Sequence, residues 1–423
     1  MSRDMGQLTD RLWRGEAAMT EWTAAVSGGA INRISDDVIA VHTGYLFGNV
    51  TAIRTGDGLV LVDTGSRETA SSSLAAIRSW DDSPIHTVIY THEHIDHSWG
   101  ARLLDEEADA ANRPRPRIIA HRNVVARFKR YDDTRGLNTT INGRQFNKAD
   151  FQFPSEHRLP DETYEDQYDL AVGGHRFTLM HGRGETDDAT FVWLPEQRLL
   201  VSGDFVIWAF PNAGNPQKVQ RFAPDWASAL RRMLALGAET LIPGHGPVVT
   251  GVDRVSRMLE DGASVLESIV TQTRELMNEG RPLDQILQRV EAPRDLLAKP
   301  YLLPSYDDPE FVVRNIWRLY GGWYDGNPAH LKPAPEAELA AELAELAGGA
   351  GSLAARAEAL ATASRLRLAA HLIELAVAAC PASQELHRVR AGIYGQRAHA
   401  ETSLIGGAIF AAAQRDSQAR TRS

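Results

Sequence analysis

The segment Thr91-His92-Glu93-His94-Ile95-Asp96-His97 constrains this chain more than any other. It continues directly from His86-Thr87-Val88-Ile89-Tyr90, a β-branched run that reads as a strand. Four ligand-type side chains, His92, His94, Asp96 and His97, therefore fall within six residues at a strand end. Imidazole and carboxylate are normal donors for zinc, iron or manganese. In such a turn, alternate residues can aim at one cation while the Asp-His pair aims at a second. Two cations about 3.5–4 Å apart can clamp a hydrolytic transition state. A surface turn with chance histidines is a poor account of four such residues in this position.

Three later segments each place a ligand residue just past a predicted strand. Gly184-Glu185-Thr186-Asp187-Asp188 follows Phe177–Met180, Ser202-Gly203-Asp204 follows Leu199–Val201, and Pro243-Gly244-His245-Gly246 follows Leu241-Ile242. Sites gather outside the carboxyl ends of strands in open sheets. A glycine beside each ligand lets the backbone come close. The single cysteine, Cys380, excludes both a cysteine-ligated metal and an intramolecular disulfide. Any metal must use the 14 histidines and the carboxylates.

The rest of the chain divides by pattern. Residues 1–36 read as an amphipathic or loosely ordered lead-in. From 37 to 251, short strands alternate with occasional helices, as in a layered α/β domain. Val50–Arg54 and Leu59–Asp63 flank Thr55-Gly56-Asp57-Gly58 as a hairpin. A helix is expected from Ser72 to Trp80. Residues 127–160 read as a long polar loop, a feature that usually serves function. From 252 to 423 the strands stop and helices are expected at Val255–Asn278, Leu283–Val290, Pro309–Gly321 and Glu336–Leu346. Residues 353–413, rich in Ala, Leu and Arg, suggest stacked helical hairpins, loosely tetratricopeptide-like but without a clean period.

Length and charge set further bounds. A chain of 423 residues with 43 % hydrophobic and 24 % charged residues is an ordinary globular protein of two or three domains. Its net charge of −10 argues against nucleic acid and anionic lipid as general partners. The first 22 residues lack a signal peptide's apolar run, and no stretch has the roughly 18 apolar residues of a membrane span. A cytoplasmic location with no membrane association is the expectation.

The His-x-His-x-Asp-His pattern with its three later partners resembles the metallo-β-lactamase superfamily. The resemblance implies an αββα sandwich holding two divalent cations, with zinc expected before manganese or iron. His92, His94 and Glu185 would hold the first cation and Asp96, His97 and His245 the second, with Asp204 bridging. Asp96 and Asp204 would also take a catalytic part. Asp63, in Val62-Asp63-Thr64-Gly65, matches the family's aspartate that orients a metal-bound histidine. Glu185 stands where most of the superfamily has histidine, and His181 or Asp188 are the alternatives nearby. With two divalent cations, three carboxylates and a hydroxide the site would be neutral, so an anionic substrate needs other cations.

A closer resemblance follows residue 300. Tyr301-Leu302-Leu303-Pro304-Ser305-Tyr306, Val313–Tyr320 and Gly321-Gly322-Trp323-Tyr324-Asp325-Gly326-Asn327-Pro328-Ala329 look like the helical dimerisation domain of the alkylsulfatase branch. A glutamate as third ligand is also that branch's habit. The resemblance implies a homodimer and a hydrolase that cleaves alkyl or aryl sulfate esters with a metal-bound hydroxide. Two features depart from the branch. Asp204 stands where a glutamate is usual, and the sequence through Ser423 does not include a sterol-carrier-like third domain. They keep another ester or lactone hydrolase on the same scaffold as the alternative. A nuclease, a di-iron oxidoreductase and a non-catalytic scaffold fit less well. Candidate groups for the anionic substrate are Tyr131, Asn142, Arg144, Lys218 and Arg221. Phe146, Trp208 and Phe210 read as ordinary core first, and as an apolar wall for the substrate second.

Overall fold

The computed structural model describes residues 2–421. Two sheets lie face to face. The first has seven strands in chain order: β1 (Ala30–Arg33), β2 (Val38–His42), β3 (Val50–Thr55), β4 (Gly58–Val62), β5 (Ile85–Ile89), β6 (Arg117–His121) and β7 (Glu162–Tyr164). It is antiparallel up to β4 and parallel from β4 to β7. The second has six: β8 (Gln167–Val172), β9 (His175–His181), β10 (Thr190–Leu194), β11 (Leu199–Gly203), β12 (Thr240–Pro243) and β13 (Val249–Thr250). Only its β11–β12 pair is parallel.

The strand sequences explain the layering. Every residue of β2 and β4 is buried. A strand with both faces covered reads as a continuous apolar run. Val38, Ala40, Val60 and Val62 face the second sheet, where they meet Phe177, Leu179, Val192, Val201 and Ile242. Ile39, Val41, Leu59 and Leu61 point the other way, onto Ala76 and Ile77 of the helix Ala70–Trp80 and Leu104 of Ala101–Ala110. Outside the second sheet, Phe191, Leu200 and Leu241 pack against Trp226, Leu230 and Met233 of Ala223–Ala235, and against Leu259 and Leu266 of Val252–Asn278. The order is helix, sheet, sheet, helix, as the resemblance implied. The hairpin at Gly56-Asp57 pairs Thr55 with Gly58.

Two expectations need correction. The lead-in is an integral part of the fold. Its helices Ser2–Trp13 and Met19–Val26 bury Leu12, Trp22 and Val26 in the outer core of the second sheet, and β1 pairs with β2. The strand was hidden because Ala30-Ile31-Asn32-Arg33 has only one β-branched residue and lies at an edge. The segment 127–160 is not one long loop. Asn123–Asp133 and Arg135–Gln145 are helices. Val124, Phe128 and Tyr131 form the apolar stripe of the first. The buried stripe of the second is mostly amides (Asn138, Asn142 and Gln145), so its sequence reads as a loop.

Beyond Thr250 the described residues are helical. Glu336–Leu346, Ala350–Thr362, Leu366–Ala379 and Gln384–Ala400 share a core of Ala357, Ala361, Ala369, Ile373, Ala376 and Ile393. The last helix, Leu404–Arg420, returns to touch Arg135–Gln145. Among the described residues no helix is long and apolar enough to cross a membrane.

Candidate metal centre

The strand ends converge at one edge of the sandwich. His92, His94 and Asp204 bring one ligand atom each to within 4.8 Å of one another, as do Asp96, His97 and His245. His92 Nε2 is 3.6 Å from Asp204 Oδ2, and His97 Nε2 is 3.1 Å from Asp204 Oδ1. Asp204 thus lies between the two groups. The close approach needs glycine: a Cβ on Gly244 would collide with Asp204 Oδ1, and one on Gly203 would lie 2.8 Å from Thr91 Cβ.

Hydrogen bonds fix which nitrogen of each ring faces inward. Asp63, held at φ +63°, accepts from Thr91 N and Thr91 Oγ1 at 2.7 Å each, and its Oδ2 accepts from His97 Nδ1 at 2.7 Å. The Thr91 hydroxyl is then committed to Asp63, so His92 Nδ1 donates to it at 3.0 Å. His245 Nδ1 donates to the Tyr45 carbonyl at 2.8 Å. Three Nε2 atoms are left with inward lone pairs. Two of them, on His97 and His245, stand 3.2 Å apart. His92 Nε2 and Asp204 Oδ1 are buried without a hydrogen-bond partner. Facing lone pairs and an unpartnered carboxylate oxygen demand a cation between them, so the donor set fits a pair of divalent ions. Electrostatics agree. Burial opposes charge on His245, yet Asp204 and Asp96 outweigh it and push the ring up to about 10, so with no cation present a proton takes its place on Nε2.

Asn49, which sequence reasoning missed, braces the turn that carries His245. Its amide Nδ2 donates to Pro243 O and Gly246 O at 2.9 Å each, and its Oδ1 accepts from His42 Nδ1 at 2.7 Å.

Glu185 stands next to the first group, with Oε1 3.9 Å from His94 Nδ1. That oxygen also accepts from Asn212 Nδ2 at 2.5 Å and lies 2.7 Å from Arg221 Nη1. Burial, Asp204 and Asp96 outweigh Arg221 and push Glu185 up to about 8. The alternatives are engaged elsewhere: His181 stacks on His121, and Asp188 accepts from Glu93 N at 2.9 Å.

A cavity of about 210 Å³ opens onto the cluster. Leu46, Phe47, Phe146, Phe151 and Phe153 form its apolar wall, with Lys218, Arg221, Asn142, Asn212 and Tyr306 among its polar lining. Of the candidate substrate groups, Tyr131, Asn142, Lys218 and Arg221 line it. Tyr131 is committed to Glu93, with its hydroxyl 3.4 Å from Oε1. Arg144 is a correction: it is exposed and outside the lining, because the inner face of its helix is made by Asn138, Ile141, Asn142 and Gln145. Trp208 and Phe210 are core residues, the first of the two readings their sequence allowed, and Ile207 takes the place in the lining. Phe146 does line the cavity. Tyr306 and Asn212 were missed as wall residues, since nothing in local spacing ties them to the cluster.

The helical part holds the cationic wall. The helix Pro309–Gly321 meets residues 211–222 through Asn315, whose Oδ1 accepts from Arg221 N at 3.2 Å and whose Nδ2 donates to Gly214 O. Asp307 Oδ2 accepts from Gly214 N at 2.6 Å.

Comparison with known proteins agrees with this geometry. Residues 43–245 match the metallo-beta-lactamase superfamily, and residues 282–419 match the family described as alkyl sulfatase dimerisation. A linear primary-alkylsulfatase of Pseudomonas sp. is 29 % identical over 70 % of this chain and 60 % of its own length. An alkyl/aryl-sulfatase of Saccharomyces cerevisiae is 28 % identical over 77 % of this chain and 54 % of its own. The chain thus spans little more than half the length of these relatives. A solved structure of a stereoselective inverting sec-alkylsulfatase from Pseudomonas sp. shares the fold, with a TM-score of 0.81 and 24 % identity over 92 % of this chain and 66 % of that one. The sandwich belongs to the metallo-β-lactamase superfamily. The chain as a whole has the domain pair of that superfamily's alkylsulfatase branch.

Proposed function

We propose that this protein is a dinuclear-metal hydrolase of sulfate esters that carry an apolar group. His92, His94 and Glu185 ligate one cation and Asp96, His97 and His245 the other, with Asp204 shared and zinc as the metal. The cavity's two-sided character carries the reading. Lys218 and Arg221 lie on a wall beside the ligand cluster, and five apolar side chains line the approach. An anionic head with an alkyl or aryl tail matches both. Arg221 Nε is buried without a protein partner and suits an anion's oxygen. The bound cations would activate water and offset charge on the departing oxygen. The chain's own residues hold the ester: the basic pair binds the sulfate, and the phenylalanines take the tail and exclude water.

The relatives' activities support sulfate as the head group. Asp204 in place of a glutamate keeps another ester or a lactone as the second reading. The test is to count metals and assay the loaded protein on a medium-chain alkyl sulfate, an aryl sulfate, a lactone and a phosphodiester. Two metals per chain with sulfate release support the proposal. Turnover of the lactone alone sinks the sulfatase reading and leaves the hydrolase site intact.

We further propose a homodimer formed by the helical part. The match to a dimerisation family supports it, as does the exposure of Tyr320, Trp323, Leu331, Leu339 and Leu346 in the single chain.

A further inference from the structure

We infer that Lys218 is the catalytic acid, donating a proton from Nζ to the bridging ester oxygen as the bond to that oxygen breaks. The inference rests on the sulfate-ester reading above and names the group that completes its chemistry.

The cavity lining offers few proton donors, and most are committed. Tyr131 points its hydroxyl at Glu93. The Tyr306 hydroxyl accepts from Gln145 Nε2 at 3.0 Å and keeps its own proton, but burial raises it well above the usual phenol range, which makes it a far weaker acid than Lys218. Burial also raises Tyr45, which bonds to Ser305. Arg221 is fixed on Glu185, and a guanidinium does not give up its proton in a protein. His94, His245, Asp96, Asp204 and Glu185 belong to the proposed ligand set, where a bound cation takes the place of the proton. Lys148 is exposed.

Lys218 is different in both placement and chemistry. It is half-buried on the wall, and its Nζ donates to Asn142 Oδ1 at 2.8 Å. Asn142 presents that oxygen because its own Nδ2 donates to Asn138 O at 2.7 Å. One N–H of the ammonium is thereby anchored, and the other two remain for the cavity. The charged groups around it come from four segments: Arg221 on its own loop, Glu185 after β9, Glu93 and His94 after β5, and Arg130 on the helix Asn123–Asp133. Desolvation by the surrounding protein is the largest influence and lowers Lys218. Arg221 and Arg130 add to it, Glu185 and Glu93 oppose it, and the balance is about 7. An acid poised near ambient pH is an efficient donor.

The step applies to S–O cleavage, where the departing alkoxide is a strong base; sulfate leaving by C–O cleavage needs no proton. The electron pair of the broken S–O bond stays on the bridging oxygen, which takes the Lys218 proton and leaves as the alcohol. The oxygen of water forms the new bond to sulfur, and a proton of the same water restores the ammonium. The sum is ester anion plus water to alcohol plus hydrogensulfate.

The test compares wild type, Lys218→Arg and Lys218→Ala, each with its metal content verified, across pH with a medium-chain alkyl sulfate. Wild-type kcat should fall on the alkaline side as Lys218 loses its proton. Lys218→Arg keeps a cation, so KM should hold while kcat drops about 100-fold and the alkaline limb disappears. Small alkylamines should rescue Lys218→Ala, better as the amine becomes a stronger acid. An alkaline limb retained in Lys218→Arg, kcat within a few-fold of wild type in either variant, or rescue indifferent to amine acidity would overturn the assignment and leave Lys218 a binding cation. A metal-loaded wild type that releases no sulfate from alkyl or aryl esters overturns the functional reading itself, and the assignment with it.

Discussion

Replacing Arg221 with methionine tests the arrangement that most distinguishes this site, a ligand-type glutamate held by a buried guanidinium. The side chains of Arg221 and Glu185 are 2 % and 6 % exposed, with Nη1 2.7 Å from Oε1. At that distance and an effective dielectric of about 20, the gross attraction is about 6 kcal/mol. Desolvation of both charges offsets much of it, so the pair's net worth is small. Removing one partner is another matter wherever the other stays charged and buried, at a cost of about 3–5 kcal/mol; for Glu185, pushed up to about 8, that means a pH above 8. Arg221→Met should therefore lower the unfolding free energy of metal-free protein by up to about that amount at about pH 9, and by less at neutral pH, where Glu185 keeps its proton. Arg221→Met with Glu185→Gln has no stranded charge. It should lose only about 1–2 kcal/mol, chiefly the guanidinium's hydrogen bond to the Glu185 carbonyl. Urea unfolding of chelator-treated wild type, both single variants and the double variant closes the cycle, followed by tryptophan fluorescence and circular dichroism. A bound cation beside Glu185 gives its charge a second partner, so the coupling should shrink in metal-loaded protein. At about pH 9, where Glu185 is charged, a coupling below about 1 kcal/mol without metal, or the same coupling with and without it, refutes the reasoning.

Asp63→Asn keeps a residue tolerant of φ +63° but removes the carboxylate that His97 Nδ1 donates to. Metal affinity should fall about 10–100-fold with the fold retained, measured by chelator competition. Burial pushes Asp307 up to about 7, although the backbone N–H groups of Asp308 and Gly214 pull it down. A carboxyl whose folded value is raised stabilises fully below its unfolded value near pH 4 and loses that contribution as pH rises through 7. Urea midpoints should decline across that window, and Asp307→Asn should flatten the decline; an unchanged slope contradicts it. Trp323 is 68 % exposed, so Trp323→Asp should shift the proposed dimer toward monomer in sedimentation equilibrium without unfolding the chain.

The candidate ligand residues were legible in the sequence because each follows a short apolar strand, and strand ends can be read locally. His92, His94, Asp96, His97, Asp204 and His245 do come together in the structure, with Glu185 beside them. The cavity wall was much less legible. Arg144 and Asn142 lie two residues apart in a stretch read as loop, where nothing ranks one above the other. Once the stretch is a helix, each residue turns about 100° from the last, so Asn142 and Gln145 face inward while Arg144 faces solvent. Trp208 and Phe210 follow Asp204 closely, yet both are the ordinary core that their apolar character favours: Phe210 is completely buried, and Trp208 fills the outer core of the second sheet against Trp13 and Tyr301.

Tyr306, Asn212 and Asn315 lay beyond any local reading, since their relation to the site is made by packing across the chain. Gly214 shows how tight that packing is, because a Cβ there would press on Phe311 and on the Val312 backbone. The loop bearing Asn212, Lys218 and Arg221 is thus pinned between the sandwich and the helix Pro309–Gly321. Asn315 satisfies the Gly214 carbonyl and Arg221 N on one side, and Gln220 Nε2 donates to the Asn315 carbonyl at 2.9 Å on the other. An irregular loop this deeply buried needs such partners for its backbone, or its polar groups would be stranded. Leu404 N and Ile405 N, at the start of the last helix, donate to Ser305 O and Tyr306 O at 2.9 and 3.2 Å. The helical part therefore does more than offer a surface to a partner. It supplies the hydrogen bonds that let a polar loop sit beside the ligand cluster. The sandwich brings the His, Asp and Glu side chains together, and the helices position Lys218 and Arg221 beside them, where the proposed anionic substrate would bind.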